Sequence, residues 1–407
     1  MASVNSFTTQ QAATLMNEVY YEATGNRNLS ALPSGDFVSV AQATLQLGTD
    51  PVINAISKVL ARTLFRTRAY NAKFKGIEVD EQKYGAITRK IYAIDDPAFE
   101  NDERGWTGGI NDGDTVDMYK IHKPKAMQMN FYGESVFQKH LTIFKDQFDL
   151  AFKSADEFGR FLAMIMQEAS NEIEQAIENA ARMALGNLVS GIALSDAQGY
   201  SVGSGNRYIK LITAYNSFFN LSSGDTGFID SVAKAIATPD FWKWSYAYLG
   251  KKLEMMENRT ELFHTALTGK PMSRQTPRDK MNIFVLSDFH KYMNTMAKAG
   301  TYHDDYLSVK GVEDVAYWQS AQTPDTVKNT PTYLKNDGTL VSMTDPATIS
   351  NLAMVVCDKE ACGITRVNQW VASTPFNAAG GYTNQYWHWT VRYWNDFLEN
   401  AFIVTLE

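Results

Sequence analysis

Residues 154–191 read SADEFGRFLAMIMQEASNEIEQAIENAARMALGNLVSG, and this stretch decides the architecture. Ser154 with Glu157 three residues on forms a capping box: the hydroxyl and the carboxylate each accept a backbone N–H that the first helical turn leaves unpaired. Apolar residues then recur at Phe158, Phe161, Ile165, Ala169, Ile173, Ala176, Ala180, Ala184 and Leu188, always three or four apart. That is the period of one helix face. Gly191 stands where a terminator belongs, so the spacing predicts one helix of about 36 residues and about 55 Å. Gly186 weakens its last turn. The stripe is narrow and Ala-rich, with Glu168, Glu172, Glu174 and Glu178 on other faces, so the helix is expected to pack on one side only, as a spine beneath a sheet. A coiled coil is the competing reading, but large residues at d-type positions are scarce.

Upstream, YGAITRKIYAI (84–94) and MYKIHKPKAMQMNFYG (118–133) are β-rich and flank a turn-rich, acidic segment from Asp95 to Asp117. This reads as a long two-stranded excursion. A lone ribbon is marginal in water, so the span from Tyr84 to Phe144 is expected to be completed by a neighbour. Residues 1 to about 50 mix helical patches with Gly, Ser, Asn and Pro, as in EATGNRNLSALPSGDF (22–37), and suggest an arm lying over another surface.

Downstream, Ile209 to Asp230 is irregular. Phe228 to about Phe263 reads as two helices split at Pro239, with Val232, Ile236, Phe241, Trp244, Tyr248 and Leu253 near one face. MNIFVLSDFHKYM (281–293) passes from a buried strand to a helix at Ser287, and YLSVKGVEDVAYW (306–318) reads as strand, turn, strand. The last fifty or so residues alternate as an antiparallel meander. Within them Tyr386, His388, Thr390 and Arg392 share one face, and Trp387, Trp389, Val391 and Tyr393 the other. Sheet core or a subunit interface is the expected use of these aromatics, ahead of a carbohydrate or base-stacking platform. No internal repeat or low-complexity linker divides the chain.

Composition narrows the function. A chain of 407 residues with 44% hydrophobic and 20% charged residues has enough apolar surface for a large core. A net charge of -7, without a Lys/Arg block, argues against a nucleic-acid reader. Cys357 and Cys362 are too few for a disulfide framework or a four-ligand zinc site. The N-terminus lacks a signal-peptide pattern, and no stretch approaches the ~20 apolar residues of a membrane span.

Catalytic and binding motifs are also missing. His122, His140, His264, His290, His303 and His388 show no metal-helix spacing. His303, Asp304 and Asp305 form the one His/carboxylate cluster in sequence and read as a solvated loop. Gly203, Ser204 and Gly205 open a partial GxGxxG, but Tyr208 replaces its last Gly and no clear helix follows. Asp112 and Asp114 suggest a calcium loop, yet Val116 and Lys123 take two ligand positions. No catalytic, cofactor-binding or metal residue is therefore assigned, no cofactor is expected, and the chain is not expected to be an enzyme.

The order of parts resembles the major capsid proteins of tailed bacteriophages. The most specific match is the closing segment: Met354 to Lys359 (MVVCDK), Tyr386 to Tyr393 (YWHWTVRY) and Asp396 to Val404 (DFLENAFIV) are similar to that family's last strands. The resemblance implies an α+β chain of the Hong Kong 97-like fold. Its divisions would be an N-terminal arm (1–70), an extended E-loop (71–150), the spine helix with the first part of the P-domain (151–228), an A-domain (229–350) and the closing β-sheet of the A- and P-domains (351–407). It implies a protein that self-assembles as hexamers and pentamers into an icosahedral head, enclosing double-stranded DNA without reading it. Portal and scaffolding proteins would be its partners, and the virion its destination after synthesis in the host cytoplasm. Some relatives cross-link an E-loop Lys to a neighbour's Asn. Lys120, Lys123 and Lys125 lie on the returning strand, so that chemistry is not expected here. The rival within the fold is an encapsulin-type compartment; from another class, a hydrolase using Asp304 or Asp305, or a carbohydrate binder.

Overall fold

The computed structural model describes residues 9–25, 40, 73–79, 88–95, 119, 125–144, 155–198, 205–298 and 312–407. The ribbon tip, Ser154, Gly203, Ser204, the Asp112/Asp114 loop, His303 to Asp305, and the first strand expected in 306–318 lie outside the described residues.

Helix α1 spans Thr9–Thr24, and the long helix α2 spans Ala155–Ala197, 43 residues against the 36 expected. The start agrees with the capping box, but the end does not. Gly191 lies inside the helix, because it serves a different need: a Cβ there would stand 2.5 Å from the ring of Phe397. A terminator needs a left-handed residue, whereas close approach needs only a missing side chain.

The expectation of one-sided packing is also corrected. Ala169, Ile173, Ala180, Ala184 and Leu188 are buried as the stripe predicts, but so are Ile177, Leu185, Val189 and Ile192, and with them Glu174, Glu178 and Arg182. The buried charges are paired. Arg182 donates to Glu178 at 2.5 Å, to the carbonyls of Tyr317 and Trp318 at 2.5 and 2.9 Å, and lies 4.1 Å from the Tyr317 ring centroid. Arg366 spans Glu78 and Glu174 at 3.0 and 3.2 Å. A helix wrapped on several sides needs such internal partners, since an unpaired buried charge costs several kcal/mol.

Two main sheets flank this helix. The first has five strands in the order β4 (Tyr208–Lys210), β14 (Ala401–Thr405), β11 (Leu352–Asp358), β5 (Met281–Leu286) and β6 (Val312–Val315). Strands β14, β11 and β5 are antiparallel neighbours, and the outer pairings with β4 and β6 are parallel. The second sheet orders β12 (Cys362–Ser373), β13 (Tyr382–Asn395) and β3 (Glu134–Phe144), all antiparallel.

The closing residues are therefore no simple meander: β12 and β13 form a hairpin in one sheet, while β11 and β14 on either side pair in the other. Burial explains the split. Every residue of β5, β11 and β14 is buried, as in a sheet covered on both faces, whereas β13 alternates along most of its length.

Helix α3 (Leu211–Phe218) occupies part of the region read as irregular. Helices α4 (Val232–Ala237) and α5 (Pro239–Glu257) are divided at Pro239 as expected, with the proline at the first position of α5. Phe241 and Leu253 are buried, but so is Trp242, between Phe289 and Tyr292; Trp244 and Tyr248 stack 4.7 Å apart at the edge of the core. The strand-to-helix switch at Ser287 is observed, with α6 at Ser287–Lys298. Short pairs complete the fold: β1 (Thr88–Ile94) with β2 (Lys125–Phe131), β7 (Val327–Asn329) with β10 (Ala347–Ile349), and β8 (Thr332–Leu334) with β9 (Leu340–Ser342).

Candidate functional site

The surfaces that could meet other subunits are the ribbon β1–β2, the outer face of the second sheet, and the leading helix. The ribbon pairs antiparallel from Thr88 with Phe131 to Ile94 with Lys125. Alternation places Lys90, Tyr92, Met127 and Met129 on one face, and Arg89, Ile91, Gln128 and Asn130 on the other. The first face lies on its own subunit: Tyr92 is buried and donates its hydroxyl to Asp396, and Lys90 Nζ lies 3.1 Å from the same carboxylate and 2.6 Å from the Glu360 carbonyl. Asp95 accepts the Ser273 N–H at 2.6 Å and pairs with Arg259. Burial pushes the Asp95 carboxyl up, but the Ser273 bonds and Arg259 outweigh it and hold it below the usual carboxylate range.

The expectation that Tyr84 to Phe144 needs a neighbour throughout is thus corrected. The described base of the ribbon is completed within the chain, and β3 is hydrogen-bonded to β13. What remains for a partner is the outer face, where Ile91 is 69% exposed. The arm shows the same division. Ala13, Met16 and Val19 of α1 are buried against the body, where α1 packs on α2. Lys125 opens β2; Lys120 and Lys123 are outside the described residues.

The second sheet turns Phe137, Leu141, Trp387, Trp389 and Val391 toward the core, with Phe137 and Trp389 stacked 5.8 Å apart. Lys139, on the same face, pairs with Glu172 of α2. The expected face pattern of β13 holds for Trp387, Trp389 and Val391 but fails at Tyr393, which is exposed while Trp394 is buried. There the alternation slips by one residue, and Gly363 opposite Trp394 leaves room for the indole. Outward, Trp370 stacks on His388 at 3.9 Å, Tyr386 lies 6.4 Å from both His388 and His140, and Phe144 meets Tyr382 edge-on. This makes an aromatic band across three strands, 53% exposed at Trp370. Exposed aromatic patches of this kind mark contact surfaces.

Among the described residues no group of three or more His, Cys, Asp or Glu is placed to hold a metal. His290 bonds Asp314 at 2.5 Å, and His264 is buried, its pKa pushed down to about 4 by burial and then by Arg207 and Arg274. Cys357 and Cys362 are free, buried thiols. Gly205 donates its N–H to Asp196 and leads to β4 and α3, a strand and helix that sequence reasoning missed. It also missed Lys90, Tyr92 and Asp396 as a group; the signal available was Asp396 itself, an acid placed between apolar strands.

Residues 17–405 match the family described as Phi29-like phage major capsid protein. No curated protein matches the chain. A chain in the capsid structure of Staphylococcus phage Andhra superposes with a TM-score of 0.52 at 11% identity, covering 84% of this chain and 86% of that one. A chain in the structure of head fiber and inner core protein gp22 of native bacteriophage P68 reaches 0.50 at 12% identity, covering 84% and 87%. At such identities the likeness shows the fold, which is the Hong Kong 97-like fold of phage capsids. The compartment reading is not favoured, because the family matched is a capsid family. The match takes in the second half of the arm helix, the ribbon, the spine helix and both sheets, and on it the chain belongs to the Phi29-like phage major capsid protein family.

Proposed function

We propose that this capsid subunit forms hexamers and pentamers of a closed head, with the ribbon tip and the first residues of the arm reaching neighbouring subunits. The observation that carries this reading is the two-sided character of the ribbon. Lys90 and Tyr92 fasten one face to the chain's own body, while the other presents Ile91 to solvent in the middle of the paired base. A fastened base whose outer face sets an exposed isoleucine among polar side chains fits an arm held ready for a second copy. The five divisions stated for the sequence, at 1–70, 71–150, 151–228, 229–350 and 351–407, belong to this proposal.

The shell would enclose double-stranded DNA without reading it; the net charge of -7 supports a wall that does not grip phosphate. Portal and scaffolding proteins are the proposed partners, and the protein would be made in the host cytoplasm and have no reaction of its own. No described helix is long and apolar enough to cross a membrane. Negative-stain imaging of the expressed chain tests the proposal. Hollow particles or capsomer rings are expected, and isolated globules at every concentration would overturn it.

A further inference from the structure

The second sheet ends on a long strand with an open side. Strand β3 runs 11 residues in unbroken register against β13, and among the described residues nothing is bonded to its other side. The other edges of the two main sheets are guarded. Strands β4 and β6, which close the five-stranded sheet, are only 3 and 4 residues long. Strand β12 carries a register break between Arg366 and Asn368, and the Val79 N–H covers part of its edge by donating to the Ile364 carbonyl at 3.0 Å. Shortness, bulges, covering segments and prolines keep a sheet edge from pairing with another chain, and β3 has none of them.

One hydrogen bond fixes which groups this edge presents. Tyr393 donates its N–H to the Gly133 carbonyl at 3.1 Å, so by alternation along the ladder Ser135, Phe137, Lys139 and Leu141 also turn their backbone groups toward β13. Glu134, Val136, Gln138 and His140 turn theirs outward, and their side chains are exposed. That row is self-complementary. In an antiparallel match centred on Phe137, Glu134 of each copy stands opposite His140 of the other, Val136 stands opposite Gln138, and Lys139 stands opposite Ser135 rather than its twin. The Glu134 carboxylate lies 3.4 Å from Arg392 of its own sheet, and a carboxylate has the acceptor capacity to take an imidazole N–H as well.

We propose that β3 pairs antiparallel with β3 of a second copy across a two-fold axis, joining the three-stranded sheets of two subunits into one continuous sheet. The inference rests on the shell reading, because so short a ladder is marginal by itself and closes once other contacts hold two subunits side by side. It assigns a partner to a surface that the ribbon and the arm leave open.

Amide hydrogen exchange tests it, read residue by residue on the full-length chain, both dilute and in assembled particles. The Phe137 and Lys139 amides, held by β13, should be protected in both states. Those of Val136, Gln138 and His140 should exchange freely in the dilute chain and about tenfold or more slowly in particles. His140→Glu sets two carboxylates opposite each other and should return these amides to the dilute rate, whereas His140→Lys should keep them slow. In a Glu134→Gln background the two substitutions should act alike. Particles in which the three amides stay fast overturn the pairing and leave the shell standing; a chain that never assembles overturns both. Slow amides that ignore the charge at residue 140 would give the edge to another strand, the ribbon of a second copy or a separate protein, and overturn the self-pairing.

Discussion

Gly191 faces Phe397 across the gap between α2 and the turn that leads into β14, and a Cβ on Gly191 would stand 2.5 Å from Cε1 and Cζ of the ring. Phe397 is itself buried, so the ring has no free space to swing into. On helix propensity alone Gly191→Ala should stabilise by about 1 kcal/mol. Overpacking a close-packed site costs about 1–3 kcal/mol, so the clash outweighs the propensity. The expected result is a lower melting temperature, measured by calorimetry; a rise would show that the contact is soft.

Arg182 and Glu178 are buried together, at 7% and 5% side-chain exposure. Arg182→Met strands a carboxylate beside two carbonyls that have lost their donor, and should destabilise by about 3–5 kcal/mol. Adding Glu178→Gln removes the stranded charge and should recover part of the loss. Urea unfolding of the two single variants and the double variant measures the coupling.

The thiols make a chemical prediction. Burial pushes Cys362 up to about 12, and burial, with Cys362 and Asp358 nearby, pushes Cys357 well above its ordinary value. Because the thiolate is the nucleophile, neither should react with an aromatic disulfide reagent in the native chain, even at mildly alkaline pH. Both should titrate after unfolding. A fast-reacting native thiol would contradict the described core.

His264 sets a pH dependence. Its folded pKa of about 4 lies below the ordinary 6.5, so the unfolded chain takes up a proton first. The stability tied to its neutral form is complete above 6.5 and is lost as pH falls toward 4, by about 1–3 kcal/mol. Glu399, which burial raises to about 7, acts in the opposite sense over part of that window, so the difference between wild type and His264→Gln is the quantity to measure. That difference should shrink as pH falls, in melting curves taken from neutral to acid.

Much of this architecture was legible in the residues. The start of α2, the break at Pro239 and the switch at Ser287 follow from local chemistry, a cap, a missing N–H and an apolar run, and local chemistry survives folding. Errors arose where a residue answers to a distant partner. Gly191 read as a stop because Phe397 is invisible from its neighbours in sequence. Glu174 and Glu178 read as a polar side because Arg366, which pairs with Glu174, and the Tyr317 and Trp318 carbonyls, which hold Arg182 over Glu178, lie far along the chain. The sheet split was readable in principle: β11 and β14 are unbroken apolar runs, unlike alternating β13, and that contrast marks strands covered on both faces. The pocket under the ribbon was the hardest, since Lys90 and Asp396 are 306 residues apart.

The central claim is that the ribbon's inner face belongs to its own chain and its outer face to another copy. Sedimentation velocity of the full chain and of Ile91→Asp, over concentrations to tens of micromolar, tests it most directly. The Ile91 side chain is 69% exposed, so the variant should keep the stability of the wild type to within about 0.5 kcal/mol. The wild type should sediment as capsomers or shells and the variant as a 45.6 kDa monomer. A wild type that stays monomeric throughout, or a folded variant that assembles equally well, would contradict the account.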